Sequence, residues 1–227
     1  MLSINDVTAV IPARNEDHTV ADIIAECLAV VSHVVVIDGH STDKTAAKAK
    51  AAGAEVYLDG GKGKGDGIRT AAGVVKTDIV VFIDADGSHV AADIPKLVQP
   101  IIDGNADHVT ASRLIGGSSE LHGGFDEFFR LAGSAFITAC INKRFGVRLS
   151  DSQNGFRSVR TKVLRDLDLK ENSTTIEQEM VMKTLKKGYR MAEVPSHEYC
   201  RRAGTSSISI WRSGPRYVYT LIKYLLI

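Results

Sequence analysis

The feature that most limits how this 227-residue chain can fold is a regular exchange of apolar, strand-like runs with helix-like segments over its first hundred residues. Val7 to Ile11 is an apolar run stopped by Pro12, and Val20, Ile23, Ile24, Cys27 and Leu28 then recur at helical spacing within Thr19 to Ala29. The exchange repeats with a strand at His33 to Asp38, a helix at Thr42 to Ala52 closed by Gly53, a short strand at Glu55 to Leu58 and a helix at Gly67 to Val75. A fully apolar strand at Ile79 to Ile83 and a helix at Asp93 to Asp103, with Pro95 in its first turn, complete the series. Buried strands separated by helices belong to the α/β class, a mostly parallel sheet covered on both faces. After a strand at His108 to Ser112 the exchange breaks down. A long helix at Phe125 to Phe145, a loop and a helix at Thr175 to Lys187 follow, then short strands at Arg190 to Val194 and His197 to Arg201, and a final helix from Gly214 to Ile227.

A hydrophobic share of 44% and a charged share of 24% are ordinary for a globular chain and exclude a disordered or collagen-like one. Cys27, Cys140 and Cys200 are odd in number and widely spaced, which gives no disulfide framework and no zinc pattern, so a reducing, cytoplasmic setting is expected. No basic region precedes an apolar stretch at the N-terminus and no apolar run is long enough to span a bilayer, so neither a signal peptide nor a transmembrane segment is expected. The formal net charge of +1 hides an asymmetry: residues 183 to 227 hold nine Lys and Arg against only Glu193 and Glu198, a net +7 on an otherwise acidic chain. Such an end suits an anionic partner, whether phosphate or lipid surface. Nucleic acid is disfavoured, because a binding groove would interleave aromatics with the basic residues.

In an open parallel sheet the chemistry gathers at the carboxyl ends of the strands, and this chain places polar residues there three times. The runs are Pro12-Ala13-Arg14-Asn15-Glu16, Asp38-Gly39-His40-Ser41-Thr42-Asp43 and Asp84-Ala85-Asp86-Gly87-Ser88-His89. The third is the sharpest. Two carboxylates two residues apart, straight after a buried strand, can share one hard divalent cation, Mg²⁺ or Mn²⁺, with phosphate oxygens. Gly60 to Gly67, with Lys62 and Lys64, is a glycine-rich loop that can hug a pyrophosphate, but it follows the third strand and matches neither the dinucleotide fingerprint nor the P-loop. Asp38 can bind a ribose or base, while Ser41-Thr42-Asp43 can equally cap a helix.

Taken together these motifs resemble glycosyltransferase family 2, in particular its dolichyl-phosphate mannose and glucose synthases. The matching pieces are Ile11-Pro12 with Asn15-Glu16, Asp38 with Ser41 to Thr45, Gly63-Lys64-Gly65, and Asp84-Ala85-Asp86 with Ser88-His89. They continue as Ser112-Arg113, Arg130, Asp151 to Arg157, Glu179, Glu193-Val194-Pro195 and Arg201 with Gly204 and Ser206. The resemblance implies a GT-A fold, a Rossmann-like mostly parallel sheet flanked by helices, over residues 1 to 210. Residues 211 to 227 would be a C-terminal amphipathic helix suited to a membrane interface. It also implies that Pro12, Ala13, Asn15, Glu16, Asp38, Lys64, Asp84, Ala85, Asp86 and Gln153 bind the nucleotide sugar, and that Asp84, Asp86 and the Ser88 hydroxyl hold Mg²⁺ or Mn²⁺. Asp86, Asp151, Arg113 and Arg130 would be catalytic, and Arg130, Arg201, Arg202 and Ser206 would face the acceptor phosphate. The chain departs from the family at Ala13, where an aromatic is usual, at Gly39, where an acidic residue is frequent, and at Ser207, where Lys is frequent.

The implied reaction is an inverting transfer of glucose or mannose from UDP-glucose or GDP-mannose to a polyprenyl or dolichyl phosphate, with charge on the departing diphosphate neutralised by the cation and by Lys64 or an Arg. A phosphate monoester, with a second pKa of roughly 6, is already anionic at pH 7 and needs no strong base. A soluble acceptor attacking through a hydroxyl would need one. A sugar nucleotidyltransferase would carry its glycine-rich loop after the first strand, where this chain has Pro12 to Glu16. The final helix would place Arg212, Arg216, Thr220 and Lys223 on one face and Tyr217, Val218, Leu221, Ile222, Tyr224 and Leu225 on the rest. At about 20 Å it falls short of a roughly 30 Å hydrocarbon core but can lie in the headgroup region of an anionic membrane. Peripheral attachment to a cytoplasmic leaflet is therefore expected, and a homodimer is compatible with the same surface.

Overall fold

The computed structural model describes residues 2–119, 125–203 and 210–226. Seven strands form one sheet in the order β3-β2-β1-β4-β6-β5-β7, with β1 at Val7–Ala13, β2 at His33–Asp38, β3 at Glu55–Leu58 and β4 at Ile79–Phe82. β5 is His108–Ser112, β6 Arg157–Arg160 and β7 Met191–Pro195. Every pairing is parallel except those of β6, which runs antiparallel to both β4 and β5. The α/β sheet expected from the apolar alternation is present. β1 alternates as a strand buried on both faces must: Val7, Ala9, Ile11 and Ala13 enter one core layer and Val10 the other.

Helices α1 (Val20–Leu28) and α4 (Ile94–Ile102) close the first layer. The second is closed by α3 (Lys64–Val74), α7 (Thr161–Asp166) and α8 (Ile176–Lys186). α2 spans Thr45–Ala51, α5 Arg113–Gly116, α6 Phe125–Phe145 and α9 Ile210–Leu226. A third apolar cluster lies under α6, α8 and α9 and includes Ile137, Ile141, Val181 and Leu221.

Several boundaries differ from the sequence reading. β1 continues through Pro12, because on its β4 side pairing ends at Val10 and the missing N–H leaves no gap there, while β2 stays in register to Asp38. α2 begins at Thr45, since Ser41 to Asp43 form the preceding turn. α3 begins at Lys64, so the second half of the glycine-rich run is the first turn of a helix. Gly65 is required there: a Cβ would stand 2.2 Å from the Glu171 carbonyl oxygen. The segment expected as a loop after α6 holds β6 and α7, and the short α5 before α6 is likewise not expected from the sequence; Arg157-Ser158-Val159-Arg160 is too polar to read as a central strand. His197 to Arg201 is not a strand. It forms one bridge, Ser118 with Glu198, and then runs along the turn after β4 through Tyr199 N–H to Ser88 O and Arg202 N–H to Asp86 O.

The face of α9 also differs from the expected one. Thr220 and Leu221 are buried, whereas Val218, Tyr219, Ile222 and Leu226 point outward. The helix is pinned by Tyr224, whose hydroxyl donates to Glu179 Oε1 at 2.7 Å, and by Lys223, which pairs with Glu171 at 2.8 Å. No described helix is long and apolar enough to cross a membrane, and the three cysteines form no disulfide.

Candidate active site

The chain moves outward from β1 to β2 and β3, then returns to the other side of β1 with β4. The crevice at this reversal lies beyond the carboxyl ends of β1 and β4, where such sheets bind ligands. On the β1 and β2 side, Pro12, Ala13, Asn15, Glu16 and Asp38 come together. Asp38 is buried and accepts the Ser41 N–H at 3.3 Å. Asn15 has a positive φ of 57° and its side-chain oxygen accepts the Thr42 N–H at 2.8 Å, so it ties the two strand-end loops to each other. Burial, followed by the charge of Asp86, pushes the Glu16 carboxyl above its ordinary range, which puts Glu16 in the same electrostatic field as the paired aspartates.

Beyond β4, Lys64, Asp84, Asp86, Ser88, His89, Arg113, Arg130, Gln153, Glu177, Glu198, Arg201 and Tyr217 are among the residues lining an 80 Å³ polar pocket. Lys64 Nζ bridges Asp84 Oδ1 at 2.7 Å and Glu177 Oε1 at 2.9 Å. Burial opposes charge on both sides of the bridge, but pairing wins. The Lys64 ammonium is held above its ordinary range by Asp84 and Glu177, and Asp84 is held down at about 2, chiefly by Lys64, then His89. Arg201 Nη2 lies 3.0 Å from Asp86 Oδ2. The Ser88 hydroxyl donates to Asp86 Oδ1 at 2.7 Å, so in this arrangement it orients Asp86. Gly155 makes the arrangement possible, because a Cβ there would come within 2.7 Å of Asp84 Oδ2 and 2.9 Å of Lys64 Nζ.

A second set of charges surrounds Asp151. Arg113 reaches it through Nε at 2.6 Å and Nη2 at 3.1 Å, and reaches Glu198 through Nη1 at 3.3 Å. Burial raises the Asp151 pKa, but the Arg113 charge and hydrogen bonds outweigh it and hold the carboxyl below its usual range. Glu193 on β7 accepts the Asp151 N–H at 2.7 Å and the Ser150 hydroxyl at 2.7 Å, which fixes the turn that presents Asp151. Arg157 is wholly buried and donates to the carbonyls of Asn154 and Glu177, joining the Gln153 loop to the start of α8.

Three buried polar atoms in the pocket, Gln153 Oε1, Glu177 Oε2 and His89 Nδ1, have no hydrogen-bond partner among the described residues. Buried groups are ordinarily satisfied, so the pocket is built for a polar ligand. Asp84 and Asp86 offer hard oxygen donors that already draw cationic groups, which suits Mg²⁺ or Mn²⁺. No three His, Cys, Asp or Glu side chains converge as a ligand set among the described residues, so a cation here would complete its shell with substrate oxygens.

Of the residues singled out in the sequence, Lys64, Asp84, Asp86, Ser88, Arg113, Arg130, Gln153 and Arg201 line this pocket, with Asp151 directly behind Arg113. Ala85 is buried in the apolar layer. Arg202 lies elsewhere, paired with Glu26 of α1 at 2.5 Å over Gly87. Ser206 lies outside the described residues. Glu177, Glu198, Tyr217 and the buried His89 are pocket residues that carried no assignment from the sequence. The one local sign for Glu177 is its place in Ile176-Glu177-Gln178-Glu179-Met180-Val181, a helical run with no continuous solvent face.

A sequence model of glycosyl transferase family 2 matches residues 8–168. Among curated proteins, the chain is 30% identical over 198 residues to glycosyltransferase AglJ of Haloferax volcanii, covering 86% of this chain and 64% of that protein. It is 27% identical over 225 residues to a dolichyl-phosphate hexose transferase of the same organism, covering 98% of this chain and 95% of that one. Among solved structures, it is similar to glucosyl-3-phosphoglycerate synthase from Mycobacterium tuberculosis in complex with Mn²⁺, UDP and glucosyl-3-phosphoglycerate. The TM-score is 0.77 at 22% identity, over 97% of this chain and 80% of that one. The same enzyme with Mg²⁺ and UDP gives a TM-score of 0.77, over 97% and 79%. These neighbours share the fold, a GT-A-like mostly parallel sheet flanked by helices.

Proposed function

Because this chain belongs to glycosyl transferase family 2 and is a glycosyltransferase, we propose that it is an inverting enzyme moving glucose or mannose from a nucleotide diphosphate sugar to a polyprenyl phosphate. The observation that carries the reading is the convergence of Lys64, Asp84, Asp86 and three unpartnered buried polar atoms on one pocket at the sheet's reversal point. The metal-bound and UDP-bound structural neighbours support the donor class, and the relative named a dolichyl-phosphate hexose transferase supports the acceptor class.

Asp84 and Asp86 would hold Mg²⁺ or Mn²⁺, which supplies positive charge where the diphosphate departs. Glu16 and Asp38, with the backbone of Pro12 and Ala13, would receive the nucleoside, and Gln153 the sugar. Lys64 stays protonated between Asp84 and Glu177 and gives the diphosphate a fixed cation that needs no reorganisation during the reaction. The anomeric carbon loses its bond to the diphosphate, which leaves with the electron pair, as an acceptor oxygen bonds from the opposite face. Asp151 is a poor candidate for a base, since both its oxygens are engaged by Arg113. It keeps Arg113 in place instead. A phosphate acceptor fits that arrangement, being anionic already at pH 7, with Arg130 and Arg201 to bind it.

A second reading, a soluble phosphate-bearing acceptor attacking through a hydroxyl, is favoured by one atom: Glu177 Oε2, buried in the pocket without a partner. Incubation with a mixed pool of UDP- and GDP-sugars, one arm with polyprenyl phosphate and one with 3-phosphoglycerate, separates the two by the mass of the product. A hexosyl polyprenyl phosphate is expected; a glycosylated small acid alone would overturn the first reading. On the first reading the enzyme works at the cytoplasmic face of a membrane, with the outward apolar face of α9 against the lipid.

A further inference from the structure

Alongside the polar pocket lies a second, larger one, a 260 Å³ groove between α5, α6 and α9. Its walls are mostly apolar, with Leu114, Phe129, Leu131, Phe136, Ile137 and Val218 among them. The two cavities share Arg113, Arg130, Gln153 and Tyr217, so the groove begins at the guanidinium groups of the polar pocket. It ends at the surface, where Phe136 and Val218 are 62% and 50% exposed. One end suits an anion and the remainder suits hydrocarbon. A small phosphorylated sugar would leave the apolar walls in water, whereas an amphiphile with a phosphate head fits both ends.

Two glycines keep the groove open. Gly133 lies inside α6 and Gly214 inside α9, both line the groove, and a Cβ built on either meets nothing within 4 Å among the described residues. Glycine within a helix is unfavourable by roughly 0.5–1 kcal/mol relative to alanine, and neither position has a positive φ or, among the described residues, a crowded neighbour that demands it. What the two positions share is the space they leave in front of them.

We propose that this groove is a tail-binding subsite, which takes the first isoprene units of the acceptor while Arg130 holds its phosphate, and that Gly133 and Gly214 are the residues that admit the chain. The proposal rests on the reading that the acceptor is a polyprenyl phosphate. It adds that the catalytic domain itself recognises the hydrocarbon next to the phosphate, independently of any bilayer. Filling the groove should therefore weaken binding of a long-chain phosphate and leave that of a short one alone. Exclusion of even two methylenes from an apolar site weakens binding by about tenfold.

The test uses the full chain and equilibrium binding of farnesyl phosphate and isopentenyl phosphate below their micellar concentrations. Gly133→Leu and Gly214→Leu are compared with Gly73→Leu, a helical glycine of α3 away from the groove with equally open space before it. Expected are a wild-type preference for farnesyl phosphate, a loss of about tenfold or more in farnesyl phosphate affinity in the two groove variants, unchanged isopentenyl phosphate binding, and wild-type behaviour in Gly73→Leu. Melting temperatures of all three should equal or exceed the wild type, because each removes a helical glycine. Equal wild-type affinity for the two phosphates, or unaltered farnesyl phosphate binding in both groove variants, overturns the subsite. If the groove variants instead dissociate a dimer in sedimentation while still binding farnesyl phosphate, the groove is a contact between copies and the proposal falls. Failure of the underlying reading looks different: farnesyl phosphate binds and Gly133→Leu blocks it, yet no hexose reaches any polyprenyl phosphate.

Discussion

Lys64 Nζ stands 2.7 Å from Asp84 Oδ1, so the carboxylate proposed to bind a divalent cation is already one partner of a half-buried ion pair. The pair is held from below by Gly155, which has no Cβ to displace it, and from the side by Glu177. Glu177 gives the ammonium a second anchor, so Asp84 can turn toward a cation without releasing Lys64 from the pocket. A charge network of this kind makes separable predictions.

Asp84→Asn and Asp86→Asn should each lower metal-dependent turnover by about 100-fold or more, in line with losing one fixed charge from a preorganised site. Binding of Mn²⁺, followed by electron paramagnetic resonance in the presence of UDP, should weaken in both. Full turnover of the double variant in excess chelator would refute the metal assignment.

Gly155→Ala places a methyl group against the ends of two flexible side chains and not against backbone. Its melting temperature should therefore change by only a few degrees, while donor turnover falls by about tenfold as Asp84 and Lys64 are pushed apart. Glu177→Gln should show the same division, with the donor KM rising more than the acceptor KM. An acceptor-specific effect in either variant would contradict the donor-side placement of Lys64.

The buried Asp151 carboxyl has a folded-state pKa below its unfolded value of about 3.9. Its contribution to stability is therefore complete above that unfolded value and is lost as pH falls through the folded one. Asp151→Asn should cost about 3 kcal/mol near pH 7, where it leaves a largely buried Arg113 with only the longer contact to Glu198 as an ion pair. That difference from wild type should shrink as pH falls below about 4. Denaturant unfolding at pH 7, 4 and 2.5 measures it, and a pH-independent difference would show that the ion pair does not govern the effect.

On α9, Leu221 and Ile222 are neighbours with opposite surroundings, the first buried and the second 52% exposed. Ile222→Glu combined with Val218→Glu should abolish sedimentation with anionic liposomes and leave the melting temperature within a few degrees. Leu221→Ala should do the reverse, destabilising by about 2–5 kcal/mol through the cavity it opens against α6 and α8. Liposome binding retained in the double Glu variant would remove the membrane role of this face.

The first half of the fold was legible because its signals are local. The apolar runs that became β1, β2, β4 and β5, and the helical spacing of α1, follow from side-chain periodicity along a few consecutive residues, and the strand ends carried the polar clusters that meet at the crevice. Asp84 and Asp86 were legible for the same reason. What the sequence could not determine depends on residues far apart in the chain. β6 is central despite its two arginines because Arg157 finds the carbonyl of Glu177, and Arg160 finds Asp107 at 3.4 Å, partners that exist only after the sheet has closed. Lys64 meets Glu177 across more than a hundred residues, and Arg201 reaches Asp86 while its neighbour Arg202 turns to Glu26. On α9, local periodicity counts polar and apolar residues alike for either face; burial of Thr220 and exposure of Ile222 were decided by where α6 and α8 supply a complementary surface. Charge pairing and packing act through space, so the sequence determined which groups the chain carries to the strand ends, and the tertiary structure decided which of them face one another.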